Sequence, residues 1–193
     1  MNQPTSAKHL YIWQTLAGAS VVGALASFIQ IIERIQYAEA PTKQLFCNIN
    51  SVFSCSNVFA AWQSSVFGFS NAIMCLAFFA VLFGASLAGL TGAKLSRNLR
   101  LSLQFLSIFF LLFGAWYLWQ STFAIGSLCI FCIFCYAAVI LLNLGWVRIN
   151  VEDFPHAISR KWLGGIIKRN LDFIFWIAWA CMIAGWMIVR FWL

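Results

Sequence analysis

The chain is poor in charge. Asp, Glu, Lys and Arg make up 9% of its 193 residues, while 63% are hydrophobic. A soluble domain carries about 25% charged residues, so a soluble globular fold is excluded. Acids are scarcest: Glu33, Glu39, Glu152, Asp153 and Asp172 are the full set, and each is expected in a loop or at a helix end. Ion and proton transporters normally keep charges inside their helices, so ion coupling is not expected. The two histidines, His9 and His156, form no intramembrane pair, and haem or a metal relay would need axial or chelating side chains there.

What is present is long apolar sequence. Five stretches, at about 10–32, 70–90, 101–122, 126–147 and 173–193, reach the roughly 20 residues a helix needs to cross a bilayer. Stretches such as "AVLFGASLAGL" and "IFFLLFGAWYLW" do not alternate in polarity, which argues against a β-barrel. The first stretch is too long for the apolar part of a signal peptide and has no obvious small-residue cleavage site, so it is expected to be retained as a helix. The sequence therefore predicts an all-α integral membrane protein of one domain, 1–193. A segment at about 33–69 would lie outside the membrane.

The cations orient this arrangement. Lys8, Lys94, Arg97, Arg100, Arg148, Arg160, Lys161, Lys168 and Arg169 fall on one side, against Arg34, Lys43 and Arg190 on the other. Positive loops stay in the cytoplasm, so the N-terminus is expected inside. The net charge of +7 is then accounted for by topology and contact with anionic lipid, without a nucleic-acid partner.

Cysteine is the one chemically active residue type left. "CNINSVFSC" carries Cys47 and Cys55 in the outer segment, and "SLCIFCIFCY" carries Cys129, Cys132 and Cys135 where the fourth helix begins. The outer compartment of a bacterium is oxidising, and disulfides persist there. Cys47 and Cys55 could form a structural staple. A polar, flexible segment would instead leave their bond open to an attacking thiol. Cys129 and Cys132 form a C-x-x-C at a helix start, where unpaired N–H groups and the helix dipole favour thiolate. Their i, i+3 spacing places both sulfurs on one face. Cys135 drifts off that face and is expected to be a bystander or a spare thiol, and Cys75 and Cys181 to be small apolar residues. Structural zinc requires four ligands. Both histidines fall on the cytoplasmic side and only an all-cysteine set would remain, so no metal is expected.

Two thiol pairs on one side suggest a relay by disulfide exchange. Ile130, Phe131 and Phe134 beside the helix pair favour a lipid-soluble two-electron acceptor such as a quinone, whose headgroup can stack on aromatics. "SNVFAAWQSSVF" reads as a short interfacial helix with Val58, Phe59, Trp62 and Val66 on one face. Such a helix could cover the mouth of the bundle or simply anchor the segment. A multi-helix membrane protein with a purely structural loop disulfide is the non-enzymatic alternative, but it has no use for a C-x-x-C at the lip of a helix.

"CNINSVFSCSNVFAAW", "FGFSNAI" and "LCIFCIFCYA" together resemble the vitamin K epoxide reductase family, over about 46–142. The resemblance implies a four-helix bundle around a quinone (ubiquinone or menaquinone), capped by the first outer segment. A fifth C-terminal helix would stand where many bacterial members carry a thioredoxin-like domain. It further implies roles. Cys132 would contact the quinone and Cys129 would exchange with the loop. Cys55 would attack Cys129, and Cys47 would complete the shuttle disulfide. Asn71 and Tyr136 would hydrogen-bond quinone carbonyls, and Phe59 would be an aromatic of the cap. Asn71 could equally be a plain helix N-cap, and Tyr136 a packed aromatic. Members often have a serine shortly after the second loop cysteine; Ala60 and Ala61 stand there, so that hydroxyl is expected to be missing. The implied activity is transfer of electrons from an extracytoplasmic thioredoxin-fold thiol oxidase to quinone, in a bacterial inner membrane. The reverse flow, reducing a quinone epoxide as in the vitamin K cycle, is the enzymatic alternative.

Overall fold

The computed structural model describes residues 7–42, 44–151 and 157–192. Lys43, Glu152, Asp153, His156 and Leu193, used above, lie outside them. Five helices are long and apolar enough to cross a membrane, and no strand is formed among the described residues. The chain is thus an all-α membrane protein.

Helix α1 (Ala7–Glu39) is the longest. It runs seven residues past the predicted end at 32, because nothing before Pro41 stops it. Glu33 and Arg34, expected in the segment outside the membrane, therefore sit on the helix, and Glu39 is its last residue. Helix α1 lies between α3 (Asn71–Leu90) and α5 (Ile130–Asn150), which are its main neighbours. Small buried residues, Ala19, Ser20, Ala26 and Ser27, let the three backbones approach. Trp13 meets Trp146 edge to face at 5.8 Å near the other end. Helix α4 (Arg97–Gln120) packs on α5, with Phe110 stacked on Phe78 of α3 at 4.0 Å. These four helices form the bundle.

Helix α5 is the inner member, with 56% of its most apolar window buried, whereas α7 (Asp172–Trp192) has 17% and is peripheral. Helix α7 is tied on at one end by Arg148, whose Nε and Nη2 donate to Asp172 at 2.6 and 2.8 Å. At the other end Trp192 meets Phe53 of the capping segment at 6.5 Å. Leu25, Phe28, Val81, Phe105, Leu112 and Ile174 remain exposed on the outside of the bundle. On a soluble protein this would be a liability; on a membrane protein it is the lipid face. A further amphipathic helix, α6 (Ala157–Lys168), links α5 to α7.

The capping segment departs from its sequence reading. One continuous interfacial helix was expected from Val58 to Val66. Instead α2 (Cys55–Ala60) stops at Ala61, which is extended, and a 3-10 turn follows at Trp62–Ser65. The break separates the apolar set: Val58 and Phe59 are buried, while Trp62 is 68% exposed.

Candidate active site

The site is assembled where the capping segment meets the start of α5. Helix α4 ends in a π turn (Ser121–Ile125), and Gly126 follows in the left-handed region at φ 71°, which glycine adopts at no steric penalty. The chain reverses there. Helix α5 consequently starts at Ile130, four residues later than predicted, and Cys129 is its extended N-cap residue rather than part of its first turn. The strand-like residues before it pair with the capping segment in a short parallel bridge, Phe53 to Leu128. Leu128 N donates to Val52 O at 2.7 Å, and Ser54 N donates to Leu128 O at 3.1 Å. Cys129 directly follows Leu128, and Cys55 directly follows Ser54. The bridge thereby brings Cys55 Sγ to 3.3 Å from Cys129 Sγ, across 74 positions of sequence.

Cys47 and Cys55 are joined in a disulfide. The polar run between them is a turn held by side-chain hydrogen bonds. Asn50 Oδ1 accepts from Val52 N and Phe53 N at 3.0 and 2.8 Å. Asn48 Nδ2 donates to Ser56 Oγ at 2.6 Å, and its Oδ1 accepts from Ser56 N. Asparagine favours such turns because its short side chain satisfies nearby backbone groups. Cys47 and Cys55 are 0% exposed, although Ile49, Asn50 and Ser51 between them are exposed. The sulfurs of the disulfide are therefore covered by the cap itself.

Cys129 and Cys132 are free thiols in this structure. The Cys129 thiol is held below its ordinary range, chiefly by a hydrogen bond from the Cys132 thiol. Backbone N–H groups of Cys132 and Phe131 add to this, and burial opposes it. Gln30 Nε2 of α1 donates to Cys132 Sγ at 3.2 Å. Cys135, read as a bystander, is buried beside Ser27 Oγ at 3.3 Å and lines the same cavity as Cys132, as does Cys75.

That cavity lies beneath the cap, among α1, α3, α4 and α5. Cys132, Asn71, Tyr136, Arg34, Phe110 and Phe113 are among its walls. Ser70, not Asn71, is the N-cap of α3. Asn71 Nδ2 instead donates to Gln63 O at 2.7 Å, and its Oδ1 is buried without a partner. The Tyr136 hydroxyl accepts from Trp179 Nε1 of α7 at 2.8 Å. An indole N–H only donates, so the phenolic hydrogen is left available to a ligand. The Tyr136 ring rests against Gly114, where a Cβ would come within 2.6 Å of it. Phe59 is not among the cavity's walls. It is buried under α2 against Tyr37, with the Arg34 guanidinium 5.8 Å above its ring. Arg34 in turn donates to Ser64 and Ser65 of the 3-10 turn at 2.6 Å each. Ser64 lines the cavity, so a hydroxyl does stand in this part of the cap despite Ala60 and Ala61.

The profile of the vitamin K epoxide reductase family matches residues 14–145. The chain belongs to that family. The match covers the bundle, the cap and all four paired cysteines, and stops before α6 and α7. No curated protein matches the chain. Family membership and five apolar helices make this a multi-pass membrane oxidoreductase of quinone-linked redox chemistry. The cavity fits a quinone headgroup. It offers aromatic walls, an Asn71 amide with a second Nδ2 hydrogen beyond the one given to Gln63 O, a phenol with a free hydrogen, and the Cys132 thiol among its walls.

Four residues near the sulfurs escaped the sequence reading: Glu33, Gln30, Arg34 and Trp179. Glu33 and Arg34 hid because α1 was ended at residue 32, and Gln30 because the sequence does not show which face of α1 meets the cysteines. A polar residue every turn at the end of an apolar helix (Gln30, Glu33, Arg34, Tyr37) was the available signal.

Proposed function

We propose that this protein is a thiol–quinone oxidoreductase. It takes electrons from a reduced thioredoxin-fold partner on the outer face of a bacterial cytoplasmic membrane and so drives disulfide formation in exported proteins. The observation that carries this reading is the 3.3 Å approach of Cys55 Sγ to Cys129 Sγ, which connects the loop disulfide to a thiol one turn from the cavity.

The partner's dithiol reduces the Cys47–Cys55 disulfide and leaves as a disulfide itself. With Cys129 and Cys132 oxidised, the Cys55 thiolate attacks Cys129, and Cys132 departs as thiolate against the Gln30 amide. Cys47 then attacks Cys55 and releases Cys129. The backbone N–H groups of Phe131 and Cys132 at the head of α5 favour the Cys129 thiolate and so make Cys129 a leaving group. The net result is a restored loop disulfide and a reduced helix pair, with two electrons moved inward. A bound quinone supplies a two-electron acceptor next to Cys132. Asn71 and Tyr136 would hold its carbonyls, and Phe59 and Arg34 hold the cap closed over it. The cations on the opposite loops support a cytoplasmic N-terminus, which sets both thiol pairs on the oxidising side.

Anaerobic mixing of the purified protein with a reduced dithiol and a soluble quinone tests this. Quinol should form at the expense of the dithiol. No quinol, or undiminished quinol from Cys132→Ala, would refute the reading.

A further inference from the structure

Glu33 is 7% exposed, six residues before the outer end of α1 at Glu39. A buried carboxylate is costly unless something pairs with it. Its Oε2 lies 3.6 Å from Cys47 Sγ. While Cys47 is bonded to Cys55 that sulfur carries no proton, so the contact has an acceptor on both sides and no donor. Reduction of the disulfide puts a proton there and completes a hydrogen bond.

We propose that Glu33 is the base that takes the proton from the Cys47 thiol as Cys47 resolves the Cys55–Cys129 disulfide. This role rests on the relay described above. In the step, Cys47 Sγ–H gives its proton to the Glu33 carboxylate and the sulfur attacks Cys55 Sγ. The Cys55–Cys129 bond breaks, and Cys129 leaves as thiolate with the bonding pair. Cys47 and Cys55 end as a disulfide, Cys129 is reduced, and the proton is on Glu33. When the partner next reduces the loop disulfide, the carboxyl returns that proton to Cys47.

The surroundings suit the task. Among the described residues, the charged and titratable groups near Glu33 are Arg34 and Tyr37 on α1, Cys47 and Cys55 of the cap, and Cys129 at the head of α5. Arg34 is committed to Ser64 and Ser65, and Tyr37 packs on Phe59. The charge of Glu33 also reaches Cys129, where it disfavours the thiolate. Taking up a proton removes that opposition at the moment Cys129 must leave.

The test is Glu33→Gln in the full chain, assayed for dithiol-dependent quinol formation from pH 6 to 9.5. Loss of a general base lowers rates by roughly 10²-fold or more, so turnover near neutrality should fall by about that factor. It should recover as the pH passes the ordinary thiol value of about 8.5, where Cys47 ionises unaided. The Cys55–Cys129 disulfide should accumulate during turnover and be seen by non-reducing mass spectrometry. Oxidation of the Cys129–Cys132 dithiol by added quinone in a single turnover should not slow, because Cys47 takes no part in it and loss of the Glu33 charge favours the Cys129 thiolate. A wild-type pH profile without accumulation overturns the proposal. Should Glu33→Gln fail the single-turnover check, Glu33→Asp decides. Its withdrawn carboxylate should slow the neutral rate and leave the alkaline rate intact, and a profile identical to wild type overturns the role. A wild-type protein that makes no quinol at all would instead refute the relay itself.

Discussion

The two thiol pairs are built in opposite ways. Cys47 and Cys55 are bonded, eight residues apart, in a turn made of asparagine and serine hydrogen bonds and backed by the Glu33 carboxylate. Cys129 and Cys132 are free and lie one turn apart at the head of an apolar helix, with Gln30 on one sulfur and the cavity alongside. The first pair has polar structure on its outer side that a protein partner could grip. The second faces aromatic walls suited to a lipid-soluble acceptor. Between them stands a single sulfur–sulfur approach, Cys55 to Cys129, set by a bridge of two backbone hydrogen bonds. The contrast teaches that this fold keeps a polar, surface-backed thiol pair apart from one beside an aromatic cavity and joins them at one point, as the proposed relay requires.

Breaking the junction should have the largest effect. Cys132→Ala removes the thiol that delivers electrons to the cavity, so dithiol-dependent quinol formation should drop to background. Combined with Cys47→Ala, which removes the second resolving thiol, a Cys55–Cys129 disulfide should be isolable and vanish on reduction. If only unlinked thiols were recovered, the loop pair would be a staple and the comparison would lose its meaning.

Accessibility sharpens the same contrast. After reduction of intact cells, a membrane-impermeant maleimide should label Cys47 or Cys55 and leave Cys132 untouched. Labelling that required cell lysis would invert the orientation inferred from the cationic loops.

Smaller effects should follow at the cavity. Tyr136→Phe and Asn71→Ala each remove one hydrogen bond to a neutral carbonyl, worth about 0.5–1.5 kcal/mol. Quinone affinity should fall roughly 2- to 13-fold, since about 1.4 kcal/mol is tenfold. The rate of exchange between the loop and an external dithiol should not change. An equal loss in both rates would mean these residues support the cap rather than the acceptor. Smallest is Trp179→Phe, which frees the Tyr136 hydroxyl from its partner on α7. A loss of about twofold in quinone affinity is expected, the lower end of a net hydrogen-bond contribution. It should disappear in a Tyr136→Phe background, and additivity there would show that Trp179 acts through packing instead.

Composition determined the membrane class, and apolar run length determined the number of crossings. These are properties of single segments: each helix must satisfy its own backbone in lipid, whatever its neighbours do. Pattern similarity likewise identified the family, because its cysteine spacings are local in sequence. The boundaries that matter at the site were not local. The end of α1 depended on where the next helix breaker stood, so Glu33 and Arg34 were read as loop. The late start of α5 depended on a glycine reversal and on pairing with a segment over seventy residues earlier. Burial of the loop sulfurs, the junction at Cys55 and Cys129, and the hold of Trp179 on Tyr136 all join distant elements. Hydrophobic periodicity says which residues face inward but not which other chain segment they meet. Only the packed structure decides that, and it is there that the sulfurs acquire partners.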